Sequence, residues 1–595
     1  MDEDLIKYRV SRPRRPFLCL TRSITIFTTL IFITMFISLR IDDSTCTNFM
    51  QLWTSPRDFI PLIKLQNTTI NILPLSLQTN PTHESSNIEN LTENSSLPPQ
   101  TCLEKNVTIT HETAKKWEII EWVSVELEPN YSSNLLARWL APGGEPCKDS
   151  QTNEIEFLNI DDKKIISLST GIVHEIYFRA LDGQGNPHCQ GGDYFEIDIA
   201  GESWKSRPPL RDYDNGTYSF TLQVEPHYTG NYTLRIILLF NHFKGLSFSP
   251  TRFAIDKQLR NLQIIFTWTE SKLPELEKCR KSDFMRGIWA GRWTRHGRND
   301  TCEIDEDGRY RCLDSNYPCS NPWCHGSLGV LESNGWVYSA HCSFKLFLGF
   351  DAWNCLNKRW IFLWGDSNHI DTIRNVMFFI LDVAIPPISR RFDLNITNPR
   401  DESQWVRITN VFNGHWDDKS NYLGLNSLSN EGYRNQLKDY FSGTVVPDIV
   451  LFNSGLHDGV HWPNIRRFIR GAEYAANFWK EVIEGVKKRG QNVPNFIFRS
   501  TITAGGYART LAFNPNKIEA FNGVLLEKMR ATGIVTGIID SFDMTWAWHY
   551  DNRCNDGVHY GRFPAKLKWR DGEIGHQYFV DLMLGHVLLN AICDS

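Results

Sequence analysis

The 595-residue sequence has no surplus of charge of one sign: the net charge is −5, and no basic block is interleaved with aromatics. A nucleic-acid partner is therefore not expected. Charge is missing altogether from Ser23 to Leu39, SITIFTTLIFITMFISL. That run is at the short end for a membrane-spanning helix, and Phe17 to Leu20 extend it if Arg22 snorkels. No A-x-A-like cleavage site follows, which favours an uncleaved signal anchor over 17–40 rather than a removed signal peptide. Lys7, Arg9, Arg12, Arg14, Arg15 and Arg22 precede the run, whereas Asp42 and Asp43 follow Arg40. This asymmetry predicts a cytoplasmic tail at 1–16 and a single-pass type II protein with a lumenal body, its membrane partner reached through the N-terminal helix. Residues 41–116 are poor in apolar content and rich in Asn, Thr, Ser and Pro, as in QTNPTHESSNIENLTENSSLPPQT. They read as a flexible glycosylated stem.

Sequons and cysteines agree with a lumenal body. Asn67, Asn90, Asn94, Asn106, Asn130, Asn215, Asn231, Asn299 and Asn395 all open an N-x-S/T triplet. Apart from Cys19 every cysteine follows the anchor, and seven lie between Cys279 and Cys355. Cys319, Cys324 and His325 permit a zinc reading, but an oxidising lumen favours disulfides, whose pairing the spacing leaves open. The 20 Trp residues hint at stacking on sugar faces, although burial in sheets explains them as readily.

From Trp117 the pattern is one of short alternating runs: Lys163 to Leu168, Glu175 to Leu181, Tyr194 to Ile199, Tyr218 to Val224 and Tyr232 to Leu239. Turn signals such as Gly185-Asn186-Pro187 break them. They predict an immunoglobulin-like β-sandwich over 117–262, with no titratable cluster that suggests chemistry and a spacer or recognition role. Residues 263–358 look irregular and rich in Cys and Trp. Beyond them strands alternate with helices: Ile449 to Phe452, Asn495 to Arg499 and Ile534 to Ile539 as strands, Pro463 to Lys488, Asn516 to Ala531 and His576 to Ala591 as helices. This rhythm predicts a parallel sheet covered by helices over 263–595.

Trp360 to Trp364 is a continuous apolar run, read as a strand buried on both faces. Gly365 allows a sharp turn, and Asp366-Ser367-Asn368 offers caps for a helix over Asp371 to Leu381. Ser367 would thus leave a buried strand where ligands collect in open α/β sheets. Taken alone it is equally a capping serine. Near the far end, Asp556-Gly557-Val558-His559 places a carboxylate one turn from an imidazole, so that Asp556 can fix the tautomer while Nε2 of His559 takes a proton from a serine.

WGDSN (364–368), FNSG (452–455) and DGVH (556–559) resemble the blocks of the PC-esterase branch of the GDSL/SGNH hydrolases. That branch includes plant wall acetyltransferases, the lumenal domain of a sialic-acid acetyltransferase, and the neurexophilin and PC-esterase domain (NXPE) proteins. LDGQGNPHCQGGDYFEIDIAG before it resembles a filamin-type repeat, in the order NXPE proteins use. The resemblance implies a nucleophile Ser367, base His559, orienter Asp556 and an oxyanion donor in Asn453, which by itself is also an ordinary turn Asn. The second-block glycine is Gly414 or Gly424. A second DGVH, Asp458 to His461, lies in the loop after Asn453. By composition either pair could orient a base; the family's block lies just before the last helix, so the resemblance favours Asp556 and His559 and implies a cleft-lining place for Gly455, His457, Asp458 and His461. The implied activity is glycan O-acyl (O-acetyl) transfer in the Golgi or another secretory-pathway membrane, on a glycan or polysaccharide acceptor. Neither metal nor bound cofactor is needed, and the acyl donor, such as acetyl-CoA or an acetylated carrier, enters as substrate. The alternatives are a carbohydrate O-acetylesterase with the same triad, and a non-catalytic binding protein whose sandwich engages a glycan or protein partner.

Overall fold

The computed structural model describes residues 121–140, 151–270, 273–295, 303–304, 310–311, 336–384, 389–549, 557–560, 568–569, 572–573 and 578–593. The expected tail, anchor and stem, and Cys319, Cys324 and His325, lie outside them. Among the described residues no helix is long and apolar enough to cross a membrane. The sequon residues Asn130, Asn215, Asn231 and Asn395 are exposed.

Within the span expected as sandwich, Tyr131–Leu140 forms the first helix, α1. It lies on the α/β layer instead. Leu135 joins the core around Phe521 and Trp479, and the Ser132 N–H donates to Glu527 at 3.1 Å. Alternating runs then build the sandwich: β1 (Glu154–Phe157), β2 (Ile166–Ser169), β3 (His174–Leu181), β4 (Tyr194–Gly201), β5 (Trp204–Ser206), β6 (Leu210–Asp212), β7 (Thr217–Leu222), β8 (Gly230–Phe240) and β9 (Lys257–Thr267). Phe178, Phe195, Tyr218, Phe220, Leu234 and Ile264 fill its core.

Two expectations about the boundary fail. A border at 262 would cut β9, because Leu262, Ile264 and Phe266 continue one buried face to the strand's end. The segment expected to be irregular also supplies two strands, β10 (Arg292–Arg295) and β11 (Trp336–Ser339), which extend a seven-stranded sheet ordered β11-β10-β5-β4-β8-β9-β2. β5 has only three residues, and β10 pairs along its open edge, which removes an unpaired row of backbone groups. β1-β3-β7-β6 forms the facing sheet. Among the described residues Cys279 bonds Cys342, and Cys355 on α2 (Gly349–Leu356) bonds Cys593.

The α/β layer follows as β12 (Arg359–Gly365), α3 (Ser367–Asn375), β13 (Arg391–Asn398), β14 (Asp401–Phe412), α4 (Glu431–Asp439), β15 (Ile449–Phe452), α5 (Leu456–His461), α6 (Ile465–Lys488), β16 (Asn495–Arg499), α7 (Pro515–Ala531), β17 (Val535–Ile539), α8 (Ser541–Trp546) and α9 (Tyr578–Ile592). Its sheet runs β13-β14-β12-β15-β16-β17, parallel except for the β13–β14 hairpin at one edge. β12 alternates between two cores. Ile361 and Leu363 pack with α3 and α9, and Phe362 and Trp364 with α6 and α7. Each such side chain contributes roughly 1.5–3 kcal/mol by leaving water. The chain passes from β14 on one side of β12 to β15 on the other, so the carboxyl end of β12 is a topological switch point.

Candidate active site

Ser367 stands at that switch point. Asp366 is the N-cap of α3, its carboxylate accepting the Asn368 N–H at 2.9 Å. Ser367 is therefore the first helical residue, four positions ahead of the expected helix start, and α3 gives way to a π-helical turn at Val376–Ile380. Gly365 is required for room: a Cβ there would come within 2.4 Å of the buried His369 ring. Burial raises the Asp366 pKa, against the Asn368 N–H and the charges of Arg499 and His559.

The hydroxyl Oγ of Ser367 lies 2.5 Å from Nε2 of His559. His559 is 8% exposed, and its loop is anchored on both sides. Gly557 sits at φ +79°, where a Cβ would be strained and would meet Ala508 at 2.5 Å. Its carbonyl accepts the Gly505 N–H at 2.7 Å. The hydroxyl of Tyr560 donates to the carbonyls of Thr503 and Thr545 at 2.7 and 3.1 Å. Asp556 lies outside the described residues.

Asn453 follows β15, its N–H donating to the Trp364 carbonyl near the end of β12 at 3.0 Å, but its side chain does not take up the expected geometry. Its amide NH2 donates to the Arg499 carbonyl at 3.1 Å and to Thr501 Oγ1 at 3.0 Å. Both hydrogens are thus spent between β15 and β16, and the amide offers no donor to an oxyanion in this arrangement. The reason is packing: Gly455 leaves no room for a Cβ against Thr501, which brings the two loops together. Of the two glycines, Gly414 follows Asn413, whose N–H donates to the Gly365 carbonyl at 2.9 Å beside the turn that carries Ser367. Gly424, at φ +55°, packs against the Asp458 carboxylate.

No family model and no curated protein sequence matches the chain. Among solved structures, the chain is similar to the acetyl xylan esterase AlAXEase, with 11% identity over 39% of this chain and 99% of that one, at a TM-score of 0.25. The acetylxylan esterase Axe2 from Geobacillus stearothermophilus shares 11% identity over 40% of this chain and 94% of its own, TM-score 0.23. A Lin-41 filamin domain shares 11% identity over 20% of this chain and 97% of its own, TM-score 0.14. Likeness this loose places the chain in no family.

The remaining expected cleft residues divide. His457 is near the site: burial, then Arg390 and His559, push its pKa down to about 3. Its Nδ1 accepts the Tyr422 N–H at 3.3 Å, so the neutral ring carries its proton on Nε2. Asp458 does not line a cleft. It is fully buried and accepts from the Leu425 N–H, Ser454 Oγ and Trp462 Nε1 at 2.8, 2.5 and 2.7 Å. Burial outweighs those donors and raises it to about 6. His461 is half-buried against Trp462, their rings 4.8 Å apart, and it is not the partner of Ser367.

Arg499 escaped the sequence reading. Buried at the end of β16, it donates to Ser541 Oγ at 2.9 Å and to Thr372 Oγ1 on α3 at 3.1 Å. An arginine closing an apolar strand was its only signal. Among the described residues no group of three or more His, Cys, Asp or Glu gathers that could hold a metal ion. A groove of about 490 Å³ lined by Arg359, Asp448 and Ile449 opens at the amino ends of β12 and β15, the end opposite Ser367.

Proposed function

We propose that this protein is a serine-dependent O-acyl enzyme that transfers an acetyl group to a glycan hydroxyl in the lumen of the secretory pathway. The observation that carries the chemistry is the 2.5 Å approach of Ser367 Oγ to His559 Nε2 at the carboxyl end of the central strand. In this reading His559 takes the serine proton as Oγ attacks the acyl carbonyl, and returns it to the departing donor oxygen or sulfur. The acyl-serine is then attacked by a sugar hydroxyl, whose proton passes to His559 and from there to Ser367 Oγ as the acyl–serine bond breaks. Asp556 holds the imidazole tautomer. The Asn368 and His369 N–H groups are committed to Asp366, so in this reading the Ser367 N–H at the start of α3 faces the developing oxyanion. The resemblance of WGDSN, FNSG and DGVH to the PC-esterase blocks supports acetyl and glycan as substrates, and NXPE proteins as relatives. With water in place of the sugar the same steps make an esterase.

The test is to incubate the purified lumenal body with labelled acetyl donors and a glycan panel. Acyl-Ser367 by mass spectrometry and labelled glycan are expected. Both should vanish in Ser367→Ala, which removes one oxygen at a helix start and keeps the fold. Free labelled acetate without labelled glycan would turn the assignment to an esterase, and unchanged turnover in Ser367→Ala would remove the covalent mechanism.

A further inference from the structure

Glu196 projects from β4 of the sandwich, yet its carboxylate is 0% exposed. It is met by two residues of the α/β layer, Arg509 from the segment after β16 and His549 from the segment after α8. Nε of Arg509 donates to it at 2.9 and 3.1 Å, and Nε2 of His549 lies 3.3 Å away. Burial opposes the charge, but Arg509 and His549 outweigh it and hold the acid at about 2. Arg509 lies in the short helix Gly506–Thr510, and the preceding Gly505 N–H holds the Gly557 carbonyl. His549 in turn accepts the Gly506 N–H on its carbonyl at 3.1 Å. Gly557 lies two residues before His559 and packs on Ala508. The sandwich thus pins the two segments on which the turn before His559 rests.

We infer that Glu196 is a positioning residue for His559, so that the sandwich is part of the catalytic unit. This rests on the acyl-serine reading. A buried ion pair is costly to break on one side only, because the other charge is left unpaired. In Glu196→Gln, Arg509 keeps a full charge only on the more exposed Asp256, already 2.8 Å from its Nη2, and is drawn toward it, so the Gly505–Ala508 seat moves with it. A displacement of about 1 Å at a reacting group lowers its rate about 100-fold.

The test uses the full-length chain and a fluorophosphonate probe. Oγ of Ser367 forms a bond to phosphorus as fluoride leaves, and the serine proton passes to His559. The rate constant and the final stoichiometry are read separately. Glu196→Gln is expected to label about 10- to 100-fold more slowly yet reach the wild-type stoichiometry. Wild-type rate at full stoichiometry would overturn the inference. So would wild-type rate at reduced stoichiometry, which is the mark of a residue that only holds the fold. Should Glu196→Gln fail to fold, Arg509→Lys decides by the same two readings, since it keeps the charge and loses the fork. A wild-type chain that never labels at Ser367 would sink the acyl-serine reading, and this inference with it.

Discussion

The tetrapeptide Asp-Gly-Val-His occurs twice, at 458–461 and 556–559, and the two copies have opposite fates. The first is wound into α5. Its Asp458 is buried under three donors and its His461 turns to Trp462. In the second, Gly557 takes a positive φ that no helix allows, and His559 is delivered to Ser367. Identical local chemistry therefore makes a structural knot in one place and a serine–histidine pair in the other. The difference comes from what each copy packs on: Leu425 and Trp462 in the first case, the Gly505–Ala508 segment in the second.

The sharpest way to break this comparison is to remove each imidazole in turn. His559→Ala is expected to slow acylation of Ser367 by about 10²–10⁴-fold, the usual worth of a general base, as read by fluorophosphonate labelling. If His461→Ala were the damaging change, the roles of the two copies would be reversed.

Next in size is Gly557→Ala. It puts a Cβ on a residue at φ +79° and into Ala508 and the Gly505 carbonyl, so His559 should shift and labelling slow by about 10- to 100-fold. Gly459→Ala would press its Cβ within 2.9 Å of the Ala512 carbonyl. It is expected to lower the melting temperature while labelling stays within a few-fold of wild type.

Asp458 sharpens the comparison through pH. Its pKa is raised from 3.8 to about 6 in the fold. The native state therefore binds more protons than the unfolded chain between about 4 and 6, and stability falls as pH rises through that window. The lost term is roughly 3 kcal/mol at most. Asp458→Asn abolishes this slope. Denaturant titrations at pH 4 and pH 7 should show wild type losing its advantage over the variant as pH rises, and a parallel pair of curves would contradict the assignment.

The smallest effect is expected of His461→Ala. The ring is half-buried and its contact is an edge against Trp462, so stability should change by about 1 kcal/mol or less and labelling not at all.

Much of the fold was legible because apolar periodicity is a local property. Trp360 to Trp364 reads as a strand buried on both faces, and it is one. The β13–β14 hairpin went unread although Phe392, Leu394 and Ile396 alternate with exposed Asp393, Asn395 and Thr397, because an antiparallel pair interrupts the strand–helix rhythm of the layer. α1 went unread because its apolar face meets α7 rather than the sandwich beside it in sequence. The site was legible as residue types in order. The commitment of Asn453 to Arg499 and Thr501 was not, since both acceptors belong to another strand and its loop.

By itself the sequence determined the buried strands β12, β15, β16 and β17, the turn after Gly365 and the presence of a serine, two Asp-x-x-His pairs and an asparagine on loops. Those follow from side-chain size, backbone sterics and hydrogen bonds that act within a few residues. Only the tertiary structure decided which histidine meets Ser367, a partner 192 positions away, and that a sandwich carboxylate holds Arg509, 313 positions from it. Contacts of that span are set by strand order and by which buried charge must find its opposite, and neither is written in any short stretch of the chain.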